Sequence, residues 1–380
     1  MPLIYLDHNA TTPLDPRVLE TMLPFLGNQY GNPSSLSRIG RTARTAIDIA
    51  REQVAALVNV SAAQVIFTSG GTEANNLAII GLGQTLEKGT IAVSAVEHPS
   101  VLSPASDYLG HNGWNPYLLP VDAAGQIEPW SITKPAAENL RLFSVMLANN
   151  ETGVIQDTAK IAEYCRTRNI LLHSDVVQAL GKIPVDFDAL GVHCMSLSAH
   201  KIYGPKGVGA LVVDPSIQLK PIFYGGGQEK TLRPGTENVA GIIGFGQAAE
   251  LAAQSLNEHI AAQTILRDQL IEHLHELGNC IIFGENAQRL PNTVQFAING
   301  VDGEMLLMAF DRAGIAVSSG SACASGSKAP SHVLQAMGID EITARGAIRI
   351  SFGSASTMDN IESLMTVIKG QLSSWDMDDD

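Results

Sequence analysis

The sequence predicts an α/β fold in two parts: a three-layer α/β/α large domain with a mainly parallel sheet, and a smaller α+β domain. Short apolar runs alternate with segments of helical period through the first two-thirds of the chain, which is typical of buried parallel strands covered by helices on both faces. A long helical stretch then leads into a shorter region of mixed strands and helices. We place the large domain at residues 15–258 and the small domain at residues 1–14 and 259–380.

The elements can be assigned in order from their apolar patterns. Six apolar runs of strand length predict the large sheet: Val65–Phe67, Ile91–Val93, Leu142–Met146, Ile170–Leu172, Met195–Leu197 and Ala210–Val213. From Asn238 to about Gly278, Ala, Leu, Gln, Glu and His recur at helical spacing, which predicts long helices leading out of the sheet. Two later runs, Thr293–Ile298 and Ala347–Ile350, predict strands of the smaller domain.

Composition excludes several classes of protein. At 380 residues, with 45% hydrophobic and 16% charged residues, the chain is not of the disordered type. A net charge of −14 argues against binding to nucleic acid or to an anionic membrane surface. The start has no signal-peptide pattern, and no apolar run reaches the roughly 18 residues of a membrane span. Four cysteines without a CxxC pair predict neither disulfides nor a metal site, so we expect a cytoplasmic protein.

A Gly- and hydroxyl-rich turn, Thr68–Glu73, follows the first apolar run and precedes a helix-like segment. Glycines allow a close approach to the backbone, and unpaired N–H groups at a helix start can hold a phosphate together with Gly71 and Thr72. The turn is equally consistent with a helix N-cap at Thr72 that binds nothing.

A second candidate segment, Ser198–Gly207, joins two apolar runs. A lysine between buried strands is costly unless its charge is relieved, and forming a Schiff base with an aldehyde would relieve the charge of Lys201. Ser198 and His200 lie two residues apart, a spacing that points extended-chain side chains the same way, and both can donate to a phosphate. A surface hairpin with solvated lysines is the equally weighted alternative.

Two polar residues follow other apolar runs. Asp175 comes after Ile170–Leu172, where the carboxyl edge of a parallel sheet places ligands. Its carboxylate could pair with the ring nitrogen of a pyridine cofactor. His98 follows the run that begins at Ile91, and its imidazole could stack on an aromatic ring or carry protons. Alone, such a residue is more often a helix cap or a satisfied polar residue than a catalytic one; together with the phosphate turn and Lys201 they predict one site.

Cys323 differs from the other cysteines because it lies among Ser and Gly residues, from Ser318 to Ser327. An accessible thiol in such a segment suits a nucleophile that must reach more than one place, although an unreactive loop thiol fits as well. The other three cysteines adjoin apolar runs, which predicts inert packing residues.

Taken together, these motifs resemble those of the cysteine desulfurases of the NifS/IscS type, which are pyridoxal-phosphate (PLP) enzymes of the aspartate-aminotransferase fold. The resemblance extends over essentially the whole chain. The motifs that carry it are Tyr5–Pro13, Thr68–Asn76, Asn149–Gly153, Ser198–Gly207, Gly225–Glu229, Arg233–Asn238 and Ser318–Cys323.

The resemblance implies PLP as the cofactor, bound covalently by Lys201. By the same resemblance Asp175 pairs with the ring nitrogen, His98 stacks on the ring, and Gln178 lies near the ring hydroxyl. Five residues are implied to hold the phosphate, the last of them from the neighbouring subunit of a homodimer: Gly71, Thr72, Ser198, His200 and Thr236.

The resemblance also implies the substrate and the product. Asn150 is the residue beside cofactor and substrate, and Arg349 binds the carboxylate of L-cysteine through a bidentate guanidinium. Cys323 takes the sulfur as a persulfide, L-alanine is released, and the sulfur passes to an iron–sulfur scaffold or another acceptor, for cluster assembly or tRNA thiolation. The one metal contact implied is a scaffold-bound iron–sulfur cluster that shares Cys323.

Other activities fit parts of the same pattern. A selenocysteine lyase or a small-substrate aminotransferase would use the same fold and cofactor. A non-catalytic PLP-binding scaffold is the alternative from a different class, but it would need neither Lys201 nor Cys323.

Overall fold

The computed structural model describes residues 3–128, 131, 134–319 and 330–375. Cys323 therefore lies outside the described residues. The strands are β1 (Ile4–Tyr5), β2 (Val65–Thr68), β3 (Thr90–Ser94), β4 (Asn115–Leu119), β5 (Leu140–Ser144), β6 (Leu171–Asp175), β7 (Cys194–Ser198), β8 (Gly209–Val213), β9 (Cys280–Ile282), β10 (Thr293–Ile298), β11 (Ile315–Ala316), β12 (Ser318–Ser319) and β13 (Ile348–Ser351).

Helices precede, separate and follow these strands. They are α1 (Pro16–Leu26), α2 (Arg38–Leu57), α3 (Gly71–Gly83), α4 (Pro99–Ser103), α5 (Lys134–Glu138), α6 (Thr158–Arg166), α7 (Phe187–Leu190), α8 (Val239–Glu276), α9 (Gly303–Arg312), α10 (His332–Ala336), α11 (Glu341–Arg345) and α12 (Met358–Trp375). Among the residues described, no helix combines the length and the apolar character needed to cross a membrane.

The large sheet has seven strands in the order β2-β8-β7-β6-β5-β3-β4. Strands β3 to β7 run parallel to one another, and β8 runs antiparallel to both β7 and β2. All six predicted strands of this sheet are confirmed. The sequence missed β4, because this edge strand is partly exposed and contains Pro116, and so it shows no continuous apolar run.

This topology gathers the candidate residues at one edge of the sheet. Since β2 and the parallel strands point the same way, their carboxyl ends meet there. Asp175 is the last residue of β6 and Ser198 the last of β7, while His98 follows the end of β3 and caps α4. A ligand crevice is therefore expected at this edge.

A second, antiparallel sheet has the order β12-β13-β10-β9, and the two predicted strands in this region are confirmed. The start of the chain joins this part, because β1 pairs with β11 and Leu6 packs in the hydrophobic core beside the antiparallel sheet. Helix α8 contributes to the cores of both sheets. Its residues up to Ala252 pack in the core of the large sheet, and those from Leu266 pack in the core of the antiparallel sheet. The α/β fold class is confirmed, whereas the predicted boundary at 258/259 falls within α8 and stays a prediction.

Candidate functional site

A cavity opens where the carboxyl ends of the parallel strands meet. Its volume is about 300 Å³, at the lower end of the usual size of small-molecule sites. The predicted site residues that line it are Gly71, Thr72, His98, Asn150, Asp175, Gln178, Ser198, His200, Lys201 and Arg349. Thr236 does not line it and is exposed in the turn before α8, and Cys323 lies outside the described residues.

The phosphate turn leads directly into α3. The helix begins at Gly71 and its N-cap is Gly70, which offers no side-chain acceptor to the first N–H groups. The alternative of a helix capped by Thr72 is therefore wrong, since Thr72 lies inside the first turn and lines the cavity. A Cβ at position 71 would lie 2.8 Å from Val177 Cγ2, so only glycine allows this close packing.

Lys201 lies at the end of a 3-10 turn that follows β7. Its Nζ donates to the backbone oxygen of Ala10 at 2.8 Å and also to that of Asn9. Lys201 lines the cavity, while β7 and β8 do pair antiparallel, as the hairpin alternative expects. The expectation of an extended chain from Ser198 to His200 is wrong, because a 3-10 turn begins at Ala199. Ser198 and His200 nevertheless both line the cavity.

Two side chains near Lys201 have unused hydrogen-bonding capacity. Ser198 Oγ is buried and has no hydrogen-bond partner in the part of the chain that the structure describes. Burial, followed by the charge of Lys201, lowers the pKa of His200 to about 4, so its ring is neutral at pH 7. His200 Nδ1 lies 3.1 Å from Thr11 Oγ1, which leaves Nε2 for a ligand. Both side chains suit an anionic group.

At the other side of the cavity a chain of hydrogen bonds runs from Asp175 to His98. Asn75 Nδ2 donates to Asp175 Oδ2 at 2.7 Å and to Ser100 Oγ at 2.8 Å. The second carboxylate oxygen, Oδ1, accepts from the backbone N–H of Val177 at 2.9 Å. Ser100 Oγ in turn lies 2.7 Å from His98 Nδ1. We call these four side chains, Asn75, His98, Ser100 and Asp175, the ring-side cluster.

His98 is held as a neutral ring with a defined tautomer. Burial lowers its pKa, more than the nearby Asp175 raises it. The backbone N–H of Ser100 donates to Nδ1 at 3.1 Å, so Nδ1 is the acceptor and Nε2 carries the proton. A neutral imidazole can stack on an aromatic ring without adding charge to the site.

Arg349 reaches the cavity from β13, and only 2% of its surface is exposed. Its Nη2 donates to Asp7 Oδ1 at 2.6 Å and its Nη1 to the backbone oxygen of Asn150 at 2.9 Å. Its buried Nε has no partner among the described residues. A guanidinium with a free donor is suited to a carboxylate ligand.

Several residues that line the cavity were not predicted. They are Asn9, Ala10, Asn75, Ser100, Met146 and Val177. One of them carried a usable signal: Asn75 lies three residues after Thr72, so both project from the same face of α3. Asn9 and Ala10 lie in the motif Tyr5–Pro13 that carries the resemblance, but no spacing places them beside Lys201, because they meet it only through the tertiary fold.

Comparison with known sequences agrees with the resemblance read from the motifs. Residues 4–364 match the family described as aminotransferase class-V. The cysteine desulfurase IscS of Dictyoglomus turgidum is 43% identical over 369 residues, covering 96% of this chain and 93% of that protein. The cysteine desulfurase IscS 1 of Archaeoglobus fulgidus is 40% identical over 368 residues, covering 96% of each chain.

Solved structures give the same result. A NifS-like protein superposes with a TM-score of 0.91 at 37% identity, covering 98% of this chain and 99% of its own. SspA, solved in complex with cysteine, superposes with a TM-score of 0.79 at 32% identity, covering 92% of this chain and 98% of its own. The predicted resemblance to the NifS/IscS type is confirmed, and this chain belongs to the class-V aminotransferase family.

Proposed function

We propose that this chain is a PLP-dependent cysteine desulfurase that takes sulfur from L-cysteine and holds it on Cys323. One observation carries the proposal: Lys201, Asp175, His98 and Arg349 line a single cavity, although the chain separates them widely. The activity is that of the cysteine desulfurases, to which the chain is similar over nearly its full length.

The residues of the cavity fit PLP, the cofactor of the family. The unpartnered Ser198 Oγ needs a hydrogen-bond partner, and an anionic phosphate oxygen beside it would supply one. Gly71 and Thr72, at a helix start without a side-chain cap, and the neutral His200 would complete the phosphate site. Thr236, which is exposed and does not line the cavity of its own chain, would contribute from the second copy of a homodimer.

The ring-side cluster fits the other end of the cofactor. Asp175 is oriented by Asn75 and by the Val177 N–H, so its carboxylate would meet the pyridine nitrogen and keep it protonated. His98 would stack on the ring as a neutral imidazole. When bound, PLP supplies an aldehyde that condenses with amines and a ring that accepts the electrons of the bonds broken in the substrate.

Lys201 would perform two tasks at one atom. Its Nζ would bind the cofactor covalently and, once displaced by the substrate amine, would take the proton from the substrate Cα. In the structure Nζ donates to the Ala10 and Asn9 backbone oxygens at the wall of the cavity. Asn150 and Arg349 would fix the substrate by its carboxylate, since Arg349 Nε has a donor to spare.

Cys323 is the proposed nucleophile. Its thiolate would attack the sulfur of L-cysteine, an S–S bond would form, and the C–S bond would break with its electron pair passing to the carbon, which is then protonated. The net change converts L-cysteine and a thiol into L-alanine and a persulfide, so atoms and electrons balance. The other cysteines are poor nucleophiles because burial raises the pKa of the Cys165 and Cys280 thiols to about 12 and that of Cys194 further.

Delivery of the sulfur requires a partner. We propose that the persulfide passes to an iron–sulfur scaffold or another acceptor protein, and that the working unit is a homodimer. A net charge of −14 favours acceptors that bring complementary basic surface over direct contact with nucleic acid.

Cys323→Ser tests the proposal. In the presence of PLP and a reductant, we expect the variant to lose the release of sulfide and L-alanine from L-cysteine while keeping the visible absorption of the bound cofactor. Cys280→Ser is the matched control and should behave like the wild type. Undiminished sulfide release by Cys323→Ser would exclude the persulfide route. Alanine formation that requires a keto acid would instead indicate an aminotransferase.

A further inference from the structure

A buried amine that the proposed mechanism does not use lies next to the cavity. Lys182 is 6% exposed, and its Nζ donates to Asn9 Oδ1 at 2.7 Å and to Gln178 Oε1 at 2.8 Å. The charged groups that influence it most, Lys201 and Arg349, are both positive. An amine buried without an opposite charge is costly, so its presence calls for an explanation beyond packing.

The contacts of Lys182 fix the orientation of the Gln178 amide. Gln178 Oε1 accepts from Lys182 Nζ, while Gln178 Nε2 donates to the backbone oxygen of Asn9 at 3.0 Å. Because Lys182 Nζ is a donor and the Asn9 backbone oxygen is an acceptor, only one assignment of the oxygen and nitrogen of the Gln178 amide is favourable. The amide nitrogen has a second N–H outside these bonds, and Gln178 lines the cavity. The amide therefore has a donor to offer to a ligand.

We propose that Lys182 is a positioning residue, which holds Gln178 Oε1 and so keeps the Gln178 Nε2–H donor directed at the cofactor. The inference rests on the proposed placement of PLP, with Gln178 beside the ring hydroxyl. Lys182 touches neither substrate nor cofactor in this account and acts through Gln178.

The electrostatic surroundings favour an uncharged amine in this role. Burial, followed by the charges of Lys201 and Arg349, holds the pKa of Lys182 well below its usual range. The two histidines within electrostatic reach, His8 and His200, are neutral as well, because burial lowers the pKa of each to about 4. A neutral Lys182 can thus donate its hydrogen bonds without placing a further positive charge next to Lys201.

A double-mutant cycle tests this role. Lys182→Met and Gln178→Ala are made singly and together, and the dissociation constant of PLP is measured on each apoprotein. Loss of one hydrogen bond predicts weakening of roughly 5- to 10-fold for Gln178→Ala and somewhat less for Lys182→Met. If Lys182 acts through Gln178, adding Lys182→Met to Gln178→Ala causes less than about 2-fold further change.

A spectroscopic readout separates positioning from a merely structural role. A donor to the ring oxygen makes that oxygen less basic, so its loss should raise the pH midpoint of the visible cofactor band. We expect this rise in Lys182→Met and Gln178→Ala alike, with no further rise in the double variant. Lys182→Gln, which keeps an N–H donor, should restore part of the affinity and of the midpoint, and Lys160→Met, on the exposed surface, should change neither.

The outcomes are distinct. If Lys182→Met lowers only the melting temperature of the apoprotein, with the PLP affinity and the band midpoint unchanged, the positioning role is wrong. Additive effects in the cycle also overturn it. If Gln178→Ala itself changes neither quantity, the proposed placement of the cofactor beside Gln178 fails, and the inference about Lys182 fails with it.

Discussion

The two sides of the cavity are built differently. In the ring-side cluster, both oxygens of Asp175 are engaged by donors from α3 and from the backbone, all within the large sheet and its helices. On the opposite side, Arg349 comes from the small sheet and is held by Asp7 and by the backbone of Asn150, while its Nε stays unpartnered. In the first arrangement the Asp175 carboxylate is fixed before any ligand arrives, although Asn75 Oδ1 is buried without a partner among the described residues. In the second arrangement Arg349 Nε has no partner among the described residues, and the Asp7 carboxylate accepts from Arg349 Nη2.

This difference indicates two kinds of binding. A preorganised cluster suits a cofactor that stays in place and whose electronics must be set by fixed groups. An arginine with a free donor suits a substrate carboxylate that arrives and leaves in every cycle. Variants on the two sides should therefore fail in different ways.

Asp175→Asn should have the largest effect. The amide keeps the shape of the carboxylate but loses the charge that we propose to lie opposite the pyridine nitrogen, so we expect kcat/KM for alanine formation to fall by roughly 1,000-fold with PLP still bound. The measurement is the steady-state rate at saturating PLP, with Asp48→Asn on the exposed face of α2 as the control. A loss of kcat/KM below tenfold would show that the ring-side cluster does not contribute to the chemistry.

Arg349→Lys should chiefly raise KM. A lysine keeps the charge but cannot form the bidentate contact, and losing a charge-assisted hydrogen bond of about 1.5–3 kcal/mol corresponds to roughly 10- to 100-fold. The affinity for PLP should change by less than about 2-fold on this account, unlike in ring-side variants. Arg345→Lys, an exposed arginine paired with Glu341, is the matched control. Weakened PLP binding with an unchanged KM would contradict the division between the two sides.

Asp7→Asn should destabilise the ligand-free protein. It removes the carboxylate beside a buried guanidinium, and because Asp7 is itself partly exposed we expect a loss of only about 1–2 kcal/mol in the free energy of unfolding. The carboxylate of L-alanine can supply the missing charge, so the product should raise the melting temperature of the variant more than that of the wild type. Equal shifts would show that a ligand carboxylate does not compensate for the charge removed from position 7.

At pH 4, Glu97→Gln should have the smallest effect. Burial raises the pKa of Glu97 well above its ordinary value of 4.5, so the folded protein holds it protonated, and Gln is nearly isosteric with that form. In the unfolded chain Glu97 ionises near 4.5, so its contribution to stability decreases as pH rises from there toward the folded pKa. The variant should match the wild type within about 1 kcal/mol at pH 4 and gain on it at higher pH.

Urea unfolding at several pH values checks this dependence on Glu97. Glu20→Gln, on the exposed face of α1, should show no such trend. A variant that loses stability relative to the wild type as pH rises would mean that Glu97 is ionised in the folded protein.

Much of the ring side could be predicted from the sequence, because its signals are local. Asp175, His98 and Lys201 each follow an apolar run, and the parallel topology brings such ends to one edge. The roles of these residues, and of Cys323 outside the described residues, stay predictions.

The other side depends on contacts that no spacing reveals. Asp7 meets Arg349 across 342 positions, and Lys182 meets Asn9 across 173. Only the fold brings them together, so the contact of Arg349 with Asp7 and the orientation of Gln178 could not be read from the chain.

The covalent attachment of PLP is the central claim, and one measurement tests it directly. The protein is incubated with PLP, reduced with borohydride, digested and analysed by mass spectrometry. We predict a phosphopyridoxyl group on the peptide that contains Lys201, and none on Lys182 or Lys206. Labelling of either of those lysines with Lys201 unmodified, or no labelled peptide at all, would contradict it.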